Sequence, residues 1–253
     1  FDHKIQAGHL WIWGWANDGS FMNDDATKIT YNDPKVVEAL DWGVKAYDVQ
    51  GGYQAYSAVA GTWQGDEQFA RGQVAMTEYE SWMLGIVARV APKLNFTVMP
   101  ILHRGGGDPV SYTGGQAWSI PTKAKDTEAA WVFIQFMSAL STWRLAAAAT
   151  LQYRKDNNGV YIPSLTANRV ADQMQIEDFY QPIAPQFDAA VKLFPKILET
   201  SRNLPVSASP VGNQLTDLLL DASKKALGKE ESAKDALDEA TKKAQSAVDE
   251  ANG

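Results

Sequence analysis

Two carboxylates raise the first chemical question. Glu78 and Glu80 stand two residues apart within 73–80, a stretch that alternates like a strand. On that pattern Val74, Met76, Glu78 and Glu80 share one face. A carboxylate pair hydrolyses a glycosidic bond when the two groups straddle it. Neighbours on one strand face flank a single point instead. The pair therefore reads as solvated or ligand-contacting, with Glu80 the candidate acceptor for a ligand hydroxyl. His3, His9 and His103 form no HExxH and no i,i+4 pair, which argues against a zinc site. No Gly-x-Ser-x-Gly elbow occurs. Gly105-Gly106-Gly107 lacks the lysine and the helix start of a phosphate loop and reads as a turn. Asp156-Asn157-Asn158-Gly159 lacks the distal glutamate of a calcium loop and reads the same way. The absence of cysteine excludes disulfides, thiolate metal sites and a cysteine nucleophile. No cofactor is expected.

Aromatic side chains are the remaining resource. Nine tryptophans are many for 253 residues, and Trp11, Trp13 and Trp15 alternate within five positions. Such a surplus builds a heavy core, or it offers flat rings on which the C–H faces of sugars stack while polar groups bond the hydroxyls. If 11–15 is extended, the three rings share a face; if it is helical, they spread around it.

The elements that must position these groups are legible in part. Asn32-Asp33-Pro34 marks a helix start, with Asp33 as cap and Pro34 in the first turn. Val37, Leu40, Val44 and Tyr47 then give an apolar stripe that Gly51-Gly52 ends. Short strands are predicted at 27–30, 73–80, 94–99 and 118–121, the middle two forming a central sheet. A helix is predicted at 65–71. Asp126 caps a helix whose buried stripe should be Ala130, Phe133, Ile134 and Met137, and 139–151 continues as alanine-rich helix. Helical pieces follow over 168–202. The last forty residues read as two amphipathic helices split at Gly228, the second capped by Ser232 with Leu237, Ala240, Ala244 and Val248 along one side. The fold class is α/β. A net charge of −7 argues against a nucleic-acid partner. No run approaches the roughly 18 apolar residues that cross a bilayer.

Phe69-Ala70-Arg71-Gly72-Gln73-Val74-Ala75-Met76, followed by Ser81-Trp82, resembles a segment of the family 1 extracellular solute-binding proteins, which include the maltose-binding proteins. Three more segments agree in order: Val98-Met99-Pro100; Gly114-Gly115-Gln116-Ala117-Trp118-Ser119-Ile120-Pro121 with the helix at Glu128–Ile134; and Glu231–Ala240. The resemblance implies a periplasmic-binding-protein-like fold of type II, a two-lobed flytrap, represented mainly by its C-terminal lobe. It implies that 1–104 belongs to that lobe, 105–140 is the returning strand and helix of the N-terminal lobe, and 141–253 is the helical remainder of the C-terminal lobe.

The same resemblance implies the substrate-binding component of an ABC importer for a sugar, polyol or glycoside, and no enzyme. Trp82 falls where maltose-type proteins stack a sugar ring. Gly114 and Gly115 match a pair that lets ligand approach the backbone. Trp11, Trp13 and Trp15 fall near a cleft aromatic segment, and at least one of them is expected in the cleft. Val211-Gly212-Asn213 stands where a later cleft aromatic is usual, which argues against a long maltodextrin. The implied partners are the sugar and the membrane permease subunits. A monomer is expected, periplasmic or extracellular, lipid-anchored in a full-length form or held at the membrane only through the transporter. The start at Phe1 does not read as a signal peptide. Hinge crossings are expected at 100–113 and around 139–149. The rival readings are a carbohydrate-active enzyme or lectin with a tryptophan-lined groove, and a helical interaction domain.

Overall fold

The computed structural model describes residues 2–3, 7–60, 65–115 and 117–253. In chain order its elements are β1 (Asp2–His3), α1 (Ala7–Ala16), α2 (Pro34–Asp48), α3 (Tyr53–Ala60), α4 (Gly65–Ala70), β2 (Thr77–Glu78), α5 (Met83–Val90), β3 (Ile101–Leu102), β4 (Pro109–Val110) and β5 (Tyr112–Thr113). There follow α6 (Thr127–Ser138), α7 (Leu140–Asp156), α8 (Arg169–Met174), α9 (Pro185–Glu199), β6 (Arg202–Asn203), α10 (Gly212–Leu227) and α11 (Ala233–Asn252). A π-helical turn, Gln175–Phe179, continues α8. No single helix among the described residues is long and apolar enough to cross a membrane.

The chain forms two compact units. The first comprises Phe1–Tyr79, Met99–Gly114 and Lys196–Gly253; the second comprises Glu80–Val98 and Gly115–Pro195. These units are defined by packing within this chain.

In the first unit, α10 lies along α11, and both pack on α2, while α10 and α2 also meet α1. The helix starts follow from the capping residues. Asp33 accepts a hydrogen bond from the Lys35 amide at 2.8 Å and Ser232 accepts one from the Asp235 amide at 3.1 Å. Every residue from Leu10 to Trp13, and Trp15 as well, is buried, so this stretch of α1 is enclosed on all sides. Trp11, Phe21, Tyr31, Leu40, Tyr47, Leu215, Leu219 and Leu237 fill the centre. Two close approaches need glycine. A Cβ on Gly14 would stand 2.4 Å from the Phe21 ring, and one on Gly43 would stand 2.5 Å from Trp13. Tyr31 donates its hydroxyl to the Leu215 carbonyl at 3.2 Å, and burial raises its pKa well above the usual phenol value.

The second unit has a smaller interior: Met83, Leu84, Val87 and Ala88 of α5, Ala147 of α7, Tyr161, Ala171, Met174, and Phe187, Ala190 and Val191 of α9. Phe96 meets Phe187 edge-on at 5.1 Å. A buried polar knot closes one loop. Asp172 accepts from the Thr166 amide, and Gln175 takes the Tyr161 hydroxyl at 3.0 Å while donating to the Ser164 carbonyl at 3.0 Å. Burial raises the Asp172 pKa against the lowering effect of those Thr166 bonds.

The strand predictions are corrected. Among the described residues pairing is confined to two-residue strands: β1–β2 parallel, β3–β4 antiparallel and β5–β6 parallel, with one antiparallel bridge from Met22 to Ile29. Only 77–78 of the expected strand 73–80 is paired, and 94–99 and 118–121 carry no ladder. No central sheet exists among the described residues. Alternation marks a strand's faces, but a strand lasts only as far as a neighbour supplies its ladder bonds. The capped helix at Asp126 is present, its expected interior is not. α6 has no buried residue, and Phe133 is 49% exposed.

Candidate functional site

The helical form of 7–16 decides how the tryptophans are used. Trp11 and Trp15 are four residues apart and share a face, while Trp13 turns away from both. Trp11 is fully buried, its ring 4.2 Å from Phe21, 5.9 Å from Tyr31 and 6.1 Å from Trp15. None of its surface is open in this chain, where it serves as a core residue of the first unit. Trp13 is buried too, but toward the edge. Its indole N–H donates to Glu78 Oε2 at 3.0 Å, and its ring meets that of Trp42 at 5.5 Å, nearly perpendicular. Trp42 is 52% exposed. The first unit thus gathers Trp13, Trp42 and Glu78 into one group.

Trp42 was not foreseen from the sequence. The signal was there: α2 buries Val36, Leu40, Gly43 and Tyr47, and Trp42 is an indole on the face those residues leave. The face-sharing argument for Glu78 and Glu80 also changes. β2 stops at Glu78, which belongs to the first unit, and Glu80 opens the second. Trp82 lies at the head of α5 in the second unit and is 52% exposed.

Gly114 ends the middle segment of the first unit, after β5, and Gly115 begins the later segment of the second. A Cβ on Gly114 would meet only the Tyr112 ring, at 3.6 Å, and one on Gly115 would meet nothing within 4 Å. Neither has a positive φ, so what their missing side chains provide is space and not a special backbone conformation. Gln116 of the same motif lies outside the described residues. Of the six expected site residues, Trp11, Trp13 and Gly114 belong to the first unit and Glu80, Trp82 and Gly115 to the second.

A charged cluster in the first unit is a structural tie. Asn17 donates to Glu38 Oε2 at 2.9 Å, and Arg104 donates to Glu38 Oε1 at 2.6 Å and to Asn17 Oδ1 at 3.1 Å. The Asn17 hydrogen bond, then Arg104, pull the Glu38 pKa down to about 2. The Arg104 amide also donates to the Ala16 carbonyl at 2.7 Å, which fastens the chain after β3 to the end of α1. No group of three or more His, Asp or Glu is placed to hold a metal ion among the described residues.

Several solved structures are similar over nearly the whole chain. An ABC transporter solute-binding protein from Thermotoga lettingae, bound with alpha-D-tagatose, aligns with a TM-score of 0.64 at 14% identity, covering 96% of this chain and 56% of its own. An ABC substrate-binding protein from Listeria monocytogenes in complex with cycloalternan gives 0.63 at 19%, covering 97% and 58%. MalX from Streptococcus pneumoniae in complex with maltopentaose gives 0.64 at 15%, covering 95% and 59%. The chain therefore spans a little over half the length of these proteins. The likeness shows the fold: this α/β chain carries part of the two-lobed fold of the periplasmic sugar-binding proteins. No curated relative matches the chain by sequence. A profile of the bacterial extracellular solute-binding proteins matches residues 4–161, more than half of the 253 residues. The chain belongs to the bacterial extracellular solute-binding protein family.

Proposed function

We propose that the protein is the substrate-binding component of an ABC importer for a sugar, polyol or small glycoside. The observation that carries this reading is Trp82, a half-exposed indole at the head of α5, in a chain whose solved relatives hold tagatose, cycloalternan and maltopentaose. An exposed indole costs apolar surface in water and repays it when a sugar's C–H face stacks on it. Gly114 and Gly115 leave backbone accessible for hydroxyls, and Glu80 and Trp13 complete the proposed contacts. Trp13 is held by its bond to Glu78 and would act mainly by orienting its neighbours.

In the complete protein, 1–104 and 141–253 are proposed to build the C-terminal lobe, with 105–140 returning to the N-terminal lobe. The bare face of α6 supports this. Trp131, Val132, Phe133 and Phe136 are all about half exposed or more. A 12-residue helix draws its stability in water chiefly from packing. A ligand that touches both lobes would favour a closed form only through contacts the open form lacks. Permease subunits would then tell loaded from empty protein. The place of work is periplasmic or extracellular, and the protein is proposed to act as a monomer.

A thermal-shift and tryptophan-fluorescence screen of monosaccharides, polyols and small glycosides tests the reading. At least one is expected to bind without being consumed. Turnover of aryl glycosides would assign the protein to the enzymes, and silence across the panel would remove sugars as the ligand class.

A further inference from the structure

The pair β5–β6 brings together residues 90 positions apart. Tyr112 pairs with Arg202 and Thr113 with Asn203. Partners in a parallel ladder project to the same face, and so do residues two apart on one strand. Tyr112, Arg202 and Gly114 therefore share one face, and Thr113 and Asn203 the other. The contacts agree. The Thr113 hydroxyl donates to Asn203 Oδ1 at 3.0 Å, and the empty Cβ position of Gly114 looks onto the Tyr112 ring.

Arg202 and Asn203 are both exposed. The Arg202 guanidinium carbon stands 6.0 Å from the ring centroid of Trp15, an indole only 5% exposed and rooted in α1. That contact steadies a long side chain by cation–π attraction. Arg71, Arg104 and Arg144 are paired with Glu67, Glu38 and Asp178. Arg202 has no carboxylate partner among the described residues, and neither do Arg89, Arg154 and Arg169; what sets Arg202 apart is the buried indole beside it. Carboxylates are in surplus, 30 against 23 Lys and Arg, so scarcity does not explain the missing partner.

We propose that Arg202 is a specificity residue that reads a negatively charged group, a carboxylate or a phosphate, on the captured sugar. The proposal rests on the sugar-binding reading above. The planar fork of a guanidinium fits either anion through two parallel hydrogen bonds, which a lysine cannot reproduce. Trp15 holds the fork, Tyr112 walls one side, and Gly114 leaves room for the ring that carries the charge. The chain's net charge of −7 opposes such a ligand, so a local cation is needed to receive it.

The test titrates the 253-residue chain with D-glucuronate, D-glucose 6-phosphate and D-glucose, by calorimetry and by NMR of the Arg202 Nε–H. At least one acidic sugar should bind about tenfold tighter than glucose, roughly 1.4 kcal/mol, and shift the Arg202 signal. Preference for glucuronate assigns a carboxylate, and preference for the phosphate ester assigns a phosphate. Arg202→Gln should erase the preference and leave glucose binding as it was, while Arg202→Lys restores only part of it. Should Arg202→Gln fail to fold, the wild-type NMR titration and Arg202→Lys decide. Glucose bound as well as both acids, or an acid preference that survives Arg202→Gln, overturns the proposal and leaves the sugar reading standing. Binding of none of the three overturns the proposal, and silence across the wider neutral panel removes the sugar reading as well.

Discussion

The two compact units spend the same kinds of side chain in opposite ways. In the first, Trp11, Trp15, Phe21, Tyr31 and Tyr47 lie inside a continuous core clasped by α1, α2, α10 and α11. In the second, Trp82, Trp118, Trp131, Phe133 and Phe136 are about half exposed or more, and α6 buries nothing fully. Trp118 packs edge-on against Phe133 at 5.3 Å, one exposed ring against another. Composition cannot separate these uses, since both units are rich in aromatics. The difference lies in whether neighbouring elements supply a second apolar layer. Where they do, an aromatic ring is a structural anchor. Where they do not, its surface stays available for a ligand or for further polypeptide.

The largest effect should come from attacking the closed core. Trp11→Ala removes a fully buried indole from the Phe21–Tyr31–Trp15 cluster and should cost about 3–5 kcal/mol of stability. Urea unfolding followed by far-UV circular dichroism measures it, and a loss below about 1 kcal/mol would contradict the contrast drawn between the units.

Next comes Trp82→Ala in the open unit. It should leave the melting profile near that of the wild type while weakening sugar binding by about 1–3 kcal/mol. Calorimetric titration beside a thermal melt separates the two readouts. A collapse of the fold without a separable binding defect would place Trp82 with Trp11 as a packing residue.

Phe136→Ser sharpens the comparison further. The ring is 57% exposed, so stability of this chain should change by no more than about 0.5 kcal/mol. A cost near that of Trp11→Ala would show that α6 is already packed in solution.

The smallest effect concerns acid. Glu38 has a folded-state pKa lowered to about 2, with the Asn17 hydrogen bond and then Arg104 as causes. A depressed carboxylate stabilises the fold above its unfolded pKa and loses that contribution as pH falls through its folded one. The loss should therefore fall between about pH 4.5 and about pH 2. The Glu38 side chain is about half exposed, so solvent screening keeps the contribution small. Comparing urea midpoints across that window for wild type and Glu38→Gln checks the sign: the variant should lose less on acidification. An equal loss would place the acid sensitivity elsewhere.

Much of the helical architecture was legible in the sequence, and for a local reason. Asp33 with Pro34, Asp126, and Ser232 each precede an apolar repeat, and a cap acts on amides two or three residues away. The family was legible as well, through motifs spread from Phe69 to Ala240. The lack of metal-binding and nucleophile motifs could be read from spacing alone. What only the tertiary structure decided were the matters that depend on distant chain. It chose the helical form of 7–16, which sent Trp11 inward and Trp13 toward Glu78 and Trp42. It cut the expected strand 73–80 to two paired residues, because the neighbour that must complete a ladder lies elsewhere in sequence. It left α6 bare although its apolar repeat predicts a buried stripe. It also set Arg202 beside Tyr112 and Gly114. Caps and turns are settled by bonds between near neighbours, whereas burial, strand length and the company a side chain keeps depend on which remote segments pack against it.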